Sequence, residues 1–183
     1  MSEKNEKKFR TLDLAYIGLG VALIAVCSWI SIPLTVPITL QTLGVCMIAG
    51  LFGLRRGTLA TFVYLLLGTV GVPLFAQFTG GIGIITGPTG GYLIGFIFTA
   101  LIVGFVSDKW GEKLRAVILA MIGGVLVCYA FGTAWFAFVY AKSNEPASLV
   151  TILGWCVFPF IPFDAVKIII AALLTNRLKR FVK

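Results

Sequence analysis

Residues 162–178 read PFDAVKIIIAALLTNRL, an apolar helix with an acid and a base close to its start. The three-residue spacing turns Asp164 and Lys167 to the same helix face. Pro162 suits a first helical turn, and Arg177 marks the far end. From Asp164 to Arg177 the helix rises about 20 Å at ~1.5 Å per residue, against a hydrocarbon core of ~30 Å. With Arg177 at the inner interface, Asp164 lies in the outer half of the bilayer and Lys167 near its middle. The helix dipole favours a carboxylate in the first turn. Lys167 has no such help and needs Asp164, another acceptor or an anionic ligand. A charge at such depth costs on the order of several kcal/mol unless it finds a partner or water. The pair is either an architectural ion pair that neutralises itself or a polar ligand site in a bundle interior. Intramembrane ionisable groups mark function more often than architecture, which favours the second reading.

The rest of the chain agrees with a membrane setting. Its 183 residues are 59% hydrophobic and 12% charged, with a mean hydropathy of +1.03. The length predicts one domain over 1–183. Spans can be drawn at 12–32, 37–54, 57–72, 90–106, 116–139 and 162–178, a six-helix, all-α integral membrane bundle. Pro37 falls in the first turn of the second span, where a missing N–H does no harm. Thirteen of the 15 Lys and Arg residues flank these spans on one side: Lys4, Lys7, Lys8, Arg10, Arg55, Arg56, Lys109, Lys113, Arg115, Arg177, Lys179, Arg180 and Lys183. Only Lys142 lies on the other side, and Lys167 is intramembrane. The positive-inside rule then puts both termini in the cytoplasm. The basic excess flanks apolar segments and is no nucleic-acid footprint. The opening MSEKNEKKFR is highly charged and the first span lacks a small-residue cleavage site, so that span is expected to remain.

Composition also excludes chemistry. Histidine, the commonest metal ligand and general base, is missing. Cys27, Cys46, Cys128 and Cys156 stand alone in apolar surroundings and read as small buried hydrophobes rather than a metal or disulfide framework. An aspartyl mechanism needs two neighbouring carboxylates, yet Glu3, Glu6, Asp13, Asp108, Glu112 and Glu145 fall at or beyond the interfaces. An enzyme is therefore not expected. A proton-coupled secondary transporter using Asp164 is the alternative, though no inverted repeat is visible. A purely structural subunit would bind no small molecule.

The connections on the outer side, 31–41, 73–89 and 141–162, are long, apolar and rich in Gly, Pro and Thr. They cannot lie bare in lipid with unsatisfied backbone groups, so they are expected to fold over the outer mouth of the bundle. Residues 79–91, TGGIGIITGPTGG, lack the Gly-Lys-Ser/Thr of a Walker motif, so no ATP site is expected. Gly90 and Gly91 either present N–H groups to an anion at a helix start or permit tight packing. Trp155, with Phe158 and Phe160, is placed to cap a pocket above the charged pair. Trp29 and Trp110 suit aromatic-belt positions. Gly18 and Ala22 form a small-xxx-small pair on the first helix.

Four pieces together resemble the BioY family, the biotin-specific substrate-binding S components of energy-coupling-factor (ECF) transporters: TLQT at 39–42, GTVGVPLFA at 68–76, GPTGGYLIGF at 87–96 and PFDAVK at 162–167. The resemblance covers nearly the whole chain. It implies the six-helix S-component fold in a bacterial plasma membrane and capture of biotin from outside. It also implies delivery through an ATP-driven ECF module of a transmembrane scaffold subunit and two cytoplasmic ATPases. It places the scaffold contact on the first helix, with Ala15, Gly18 and Ala22 as candidates. Biotin is then the ligand and no cofactor is implied. Asp164 can accept the ureido N–H groups, and Lys167 can meet either the ureido carbonyl or the tail carboxylate. Gln41, Thr86 and Tyr92 can add neutral hydrogen bonds at the mouth.

Overall fold

One glycine, Gly53, reverses the chain inside its longest early helix. The computed structural model describes residues 11–34, 36–111, 113–143 and 147–181, so Lys4, Lys7, Lys8, Arg10 and Lys183 lie outside the described residues. Its helices are α1 (Thr11–Trp29), α2 (Gln41–Val70), α3 (Ile82–Thr86), α4 (Gly90–Trp110), α5 (Leu114–Ser143), α6 (Leu149–Cys156) and α7 (Ile161–Leu178). Single 3-10 turns occupy Ala76–Phe78 and Lys179–Phe181. The all-α expectation holds, with one small non-helical element added. A small antiparallel ribbon of β1 (Ser31–Ile32) and β2 (Ile38–Thr39) joins α1 to α2, giving the apolar loop there its backbone partners.

Although α2 is continuous as a helical element, it is a hairpin. Gly53 has φ +74° and ψ −172°, a region open essentially to glycine alone. A straight helix would separate Gln41 from Tyr64 by about 35 Å. Instead the Gln41 side-chain amide donates to the Tyr64 hydroxyl at 2.6 Å, so arms 41–52 and 54–70 run antiparallel. The sequence places this break at Arg55–Arg56; it falls at Gly53, where Asp108 of α4 accepts the Leu54 N–H at 3.1 Å. Four helices are long and apolar enough to cross a membrane, or five if α6 and α7, which meet at 43°, form one broken span.

The hairpin is the centre of the bundle, with α1, α4 and α7 packed against it. α4 and α5 approach closely because glycines line their seam. A Cβ on Gly91 would lie 2.2 Å from that of Trp135, and one on Gly95 2.9 Å from the Cys128 sulfur. On α1, Ile17, Gly20 and Ile24 face the core. Ala15, Gly18 and Ala22 form an exposed stripe on the opposite side. Asp13 pairs with Arg56 at 2.5 Å and ties the start of α1 to the second arm of α2.

Two unlike ends result. The starts of α2, α4 and α7 gather around a cavity. The opposite end gathers Lys109, Lys113, Lys179 and Arg180. They are called the cavity end and the basic end below.

Candidate functional site

The last helix positions the two charges as its sequence demands. Its N-cap is Phe160 and Pro162 sits in the first turn, so Asp164 falls within one turn of the free N–H groups. Both charged side chains are buried, Asp164 at 3% and Lys167 at 5% exposure. Lys167 Nζ donates to Asp164 Oδ1 at 2.7 Å. The other carboxylate oxygen, Oδ2, accepts a short hydrogen bond from the Tyr129 hydroxyl of α5. The carboxylate is thereby held from two helices, each oxygen keeping capacity for one more donor. Lys167 has three donors and spends one on Asp164, leaving two for a ligand.

These groups border a cavity of about 230 Å³. Its walls are largely apolar: Val36, Phe75, Leu93, Phe96, Val125 and Phe160. Its polar groups include Thr39, Gln41, Gln77, Thr79 and Tyr129 beside the charged pair. A mostly apolar hollow with a few convergent polar groups is the usual form of a small-molecule site.

Gln41 and the rim are prearranged. Gln41 is buried at the start of α2, and its backbone N–H donates to the Thr39 hydroxyl at 3.1 Å. Its amide nitrogen reaches Tyr64, whose hydroxyl in turn donates to the Leu74 carbonyl at 3.0 Å. This relay pins the segment after α2 to the hairpin. Phe75 is inserted against Gly68, and its N–H donates to the Thr79 carbonyl at 2.9 Å, closing a tight loop. Inside that loop Gln77 and Phe78 both have φ +57°, costly for residues with side chains. Trp29 fastens the loop from outside, stacking on Phe78 at 4.9 Å and donating to the Pro73 carbonyl at 2.9 Å. The 73–79 segment is thereby held over the mouth of the cavity.

The sequence-predicted residues divide. Asp164, Lys167, Gln41 and Tyr92 line the cavity. Tyr92 offers its ring more than its hydroxyl, which is already engaged with Thr133 at 2.9 Å. Thr86 is not brought in: it is exposed in the single turn of α3, and its hydroxyl donates to its own Ile82 carbonyl at 3.1 Å. Trp155 is not in the wall either. It packs on Tyr140 at 5.5 Å, 40% exposed, because the bend between α6 and α7 brings Phe160 over the cavity instead. Gly90 and Gly91 serve packing. The Gly90 N–H is used by the Gly87 carbonyl at 3.1 Å, and Gly91 lies flat against Trp135. The residues sequence reasoning missed are Tyr129, Phe75, Gln77 and Thr39. Tyr129 carried a signal, since a hydroxyl in the middle of an apolar helix must find a partner.

The model of the BioY family matches residues 2–183. The chain belongs to the BioY family. Among similar proteins are the biotin transporter BioY of Thermotoga maritima, 40% identical over 92% of this chain and 96% of the relative, and biotin transporter BioY2 of Lactococcus lactis, 37% identical over 89% and 86%. A crystal structure of the S-component for biotin from an ECF-type ABC transporter has a TM-score of 0.83 at 30% identity. The alignment covers 98% of this chain and 95% of that one.

Proposed function

We propose that this chain is the biotin-capturing S subunit of an ECF transporter and that its ligand occupies the cavity bordered by Asp164, Lys167, Gln41 and Tyr129. The observation that carries the reading is a buried ion pair that opens into an apolar cavity rather than being sealed in helix packing. BioY relatives are transporters, not enzymes. No step of chemistry is asked of the pair, only recognition.

The charges favour one direction of the ligand. Asp164 and Lys167 are 2.7 Å apart, so a tail carboxylate brought onto Lys167 would also meet the Asp164 carboxylate. Like charges that close in a medium of low dielectric repel strongly. The ureido ring avoids this. Its N–H groups can satisfy the free lone pairs of Asp164 while its carbonyl accepts from Lys167. The bicyclic ring then packs among Phe75, Phe96 and Phe160, and the carboxylate tail points to the rim at Gln77 and Thr79.

The chain crosses the membrane six times in this reading, with each arm of the α2 hairpin and the α6–α7 pair counted as one crossing. Both termini are cytoplasmic, because the basic end faces the cytoplasm. The cavity end then faces outward, in a bacterial plasma membrane. The exposed Ala15, Gly18 and Ala22 stripe of α1 docks the transmembrane scaffold of the module, whose two ATPases supply the energy. A proton-coupled transporter is disfavoured because Asp164 already holds two donors within the bundle.

Competition binding tests the reading. Biotin and tail-modified biotin esters should both displace labelled biotin from the purified chain, whereas an analogue with a methylated ureido nitrogen should bind at least tenfold more weakly. The reverse ranking would put the tail, not the ring, at Asp164 and Lys167.

A further inference from the structure

Two of the three groups in the buried cluster share a helix, and the third does not. Lys167 lies on α7 with Asp164 and moves with it, so their contact at 2.7 Å cannot place the carboxylate relative to the rest of the cavity. Tyr129 can place it. It sits on α5, and its hydroxyl donates to Asp164 Oδ2. Helix α5 is a firm platform, because its glycine seam with α4 is closed by the Thr99 hydroxyl, which donates to the Gly124 carbonyl at 2.8 Å. Val125, Cys128 and Tyr129 line the cavity from that platform. Asp164, by contrast, stands in the first turn after the 43° bend between α6 and α7, and helix ends are the parts that fray.

The hydroxyl also acts on what the cluster offers a ligand. A phenol has one proton, and Tyr129 spends it on the carboxylate, which leaves its oxygen only as an acceptor. The Asp164 carboxylate is an acceptor as well, and Lys167 keeps two N–H groups. The acid side of the cluster therefore presents acceptors alone and the base side donors alone. A ligand edge with N–H beside C=O, as in a ureido ring, matches that order; a ring with alkylated nitrogens does not. A carboxylate already held in place binds such an edge without the cost of ordering itself first. We propose that Tyr129 is a positioning residue for ureido recognition, holding the Asp164 carboxylate with its free lone pairs turned into the cavity and so setting the preference for a ring with free N–H groups. The inference rests on the reading that the ureido ring lies at Asp164 and Lys167.

Tyr129→Phe removes the hydroxyl and keeps the ring. Equilibrium binding of biotin, and of biotin methylated at both ureido nitrogens, to the purified full chain and to this variant forms a protein–ligand cycle. The variant should bind biotin about tenfold more weakly, the scale of a hydrogen bond to a charged group, and the methylated ligand within about threefold of the parent. Tyr92→Phe removes a wall hydroxyl engaged with Thr133 rather than with Asp164, and should shift both ligands alike. The proposal is overturned if Tyr129→Phe weakens both ligands equally, as a general role in the wall would, or leaves biotin affinity unchanged. A Tyr129→Phe chain that does not fold, read by thermal unfolding, overturns it too, because the hydroxyl would then serve the bundle. The parent tests the underlying reading separately. If the parent binds the methylated ligand as tightly as biotin, the ring does not lie at this pair, and the proposal falls with that reading.

Discussion

The two ends of this bundle treat charge in opposite ways. At the cavity end a single acid and base are buried, linked to each other and to Tyr129, and open to a hollow lined by aromatic rings. At the basic end Lys109, Lys113 and Arg180 stand exposed, and Asp108 accepts the Leu54 N–H beside the Gly53 turn. Exposed cations at an interface cost little and set orientation. Buried charges cost several kcal/mol and persist only with partners. The difference separates what places the protein in a membrane from what it does there. It also explains the backbone. Helix connections at the basic end are tight, whereas the cavity end uses a ribbon, the Ala76–Phe78 3-10 turn and a strained Gln77–Phe78 pair to wall a pocket.

The largest expected effect breaks the cavity end. Lys167→Ala leaves a buried carboxylate with one partner fewer and removes a ligand donor. Truncating one member of such a pair costs about 2–5 kcal/mol, so biotin affinity should fall at least about thirtyfold, read by equilibrium binding. Next, Gly53→Ala attacks the basic end. Its backbone conformation excludes side chains, and a new Cβ would lie 2.0 Å from Asp108 Oδ1. Thermal unfolding should show a loss of about 1–3 kcal/mol, while the affinity of the remaining folded protein stays near that of the parent. An equal loss of affinity would mean that the two ends are not independent.

A smaller effect sharpens the account of the rim. Gln41→Leu cuts the relay through Tyr64 to Leu74 and should weaken binding about tenfold, mostly by faster release, which stopped-flow displacement would register. The smallest effects belong to Thr86→Ala and Trp155→Phe. Both residues stand outside the cavity, so each should change affinity less than twofold.

Much of this was legible in the sequence, and the particular residues show why. The last helix was readable because Pro162 and Arg177 bracket it and its two charges are conspicuous against apolar neighbours; the structure begins it at Ile161 and ends it at Leu178. The α2 reversal was read from Arg55 and Arg56, which mark the interface, whereas the bend is made by Gly53, one glycine among 21. The sequence gives no helix at α6, because Pro159 and Pro162 interrupt the apolar run that resumes near Val150. Ser148, which caps it by accepting the Thr151 N–H at 3.2 Å, was the available signal. That Thr86 and Trp155 lie outside the cavity lining is illegible in the sequence for another reason. In loops and one-turn helices no periodicity tells which way a side chain points, and nearness in sequence to Gly87 or Phe160 does not place a residue in the same wall.

The central claim is that the buried pair exists for the ligand and not for the fold. The double change Asp164→Asn with Lys167→Met removes both charges together, so neither is left buried alone, and keeps similar volumes. Isothermal titration of the purified chain with biotin, without partner subunits, measures the outcome beside its thermal unfolding. The account predicts a variant that unfolds at or above the parent's temperature and gives no biotin heat, against one-to-one tight binding by the parent. A variant that binds biotin like the parent would contradict it.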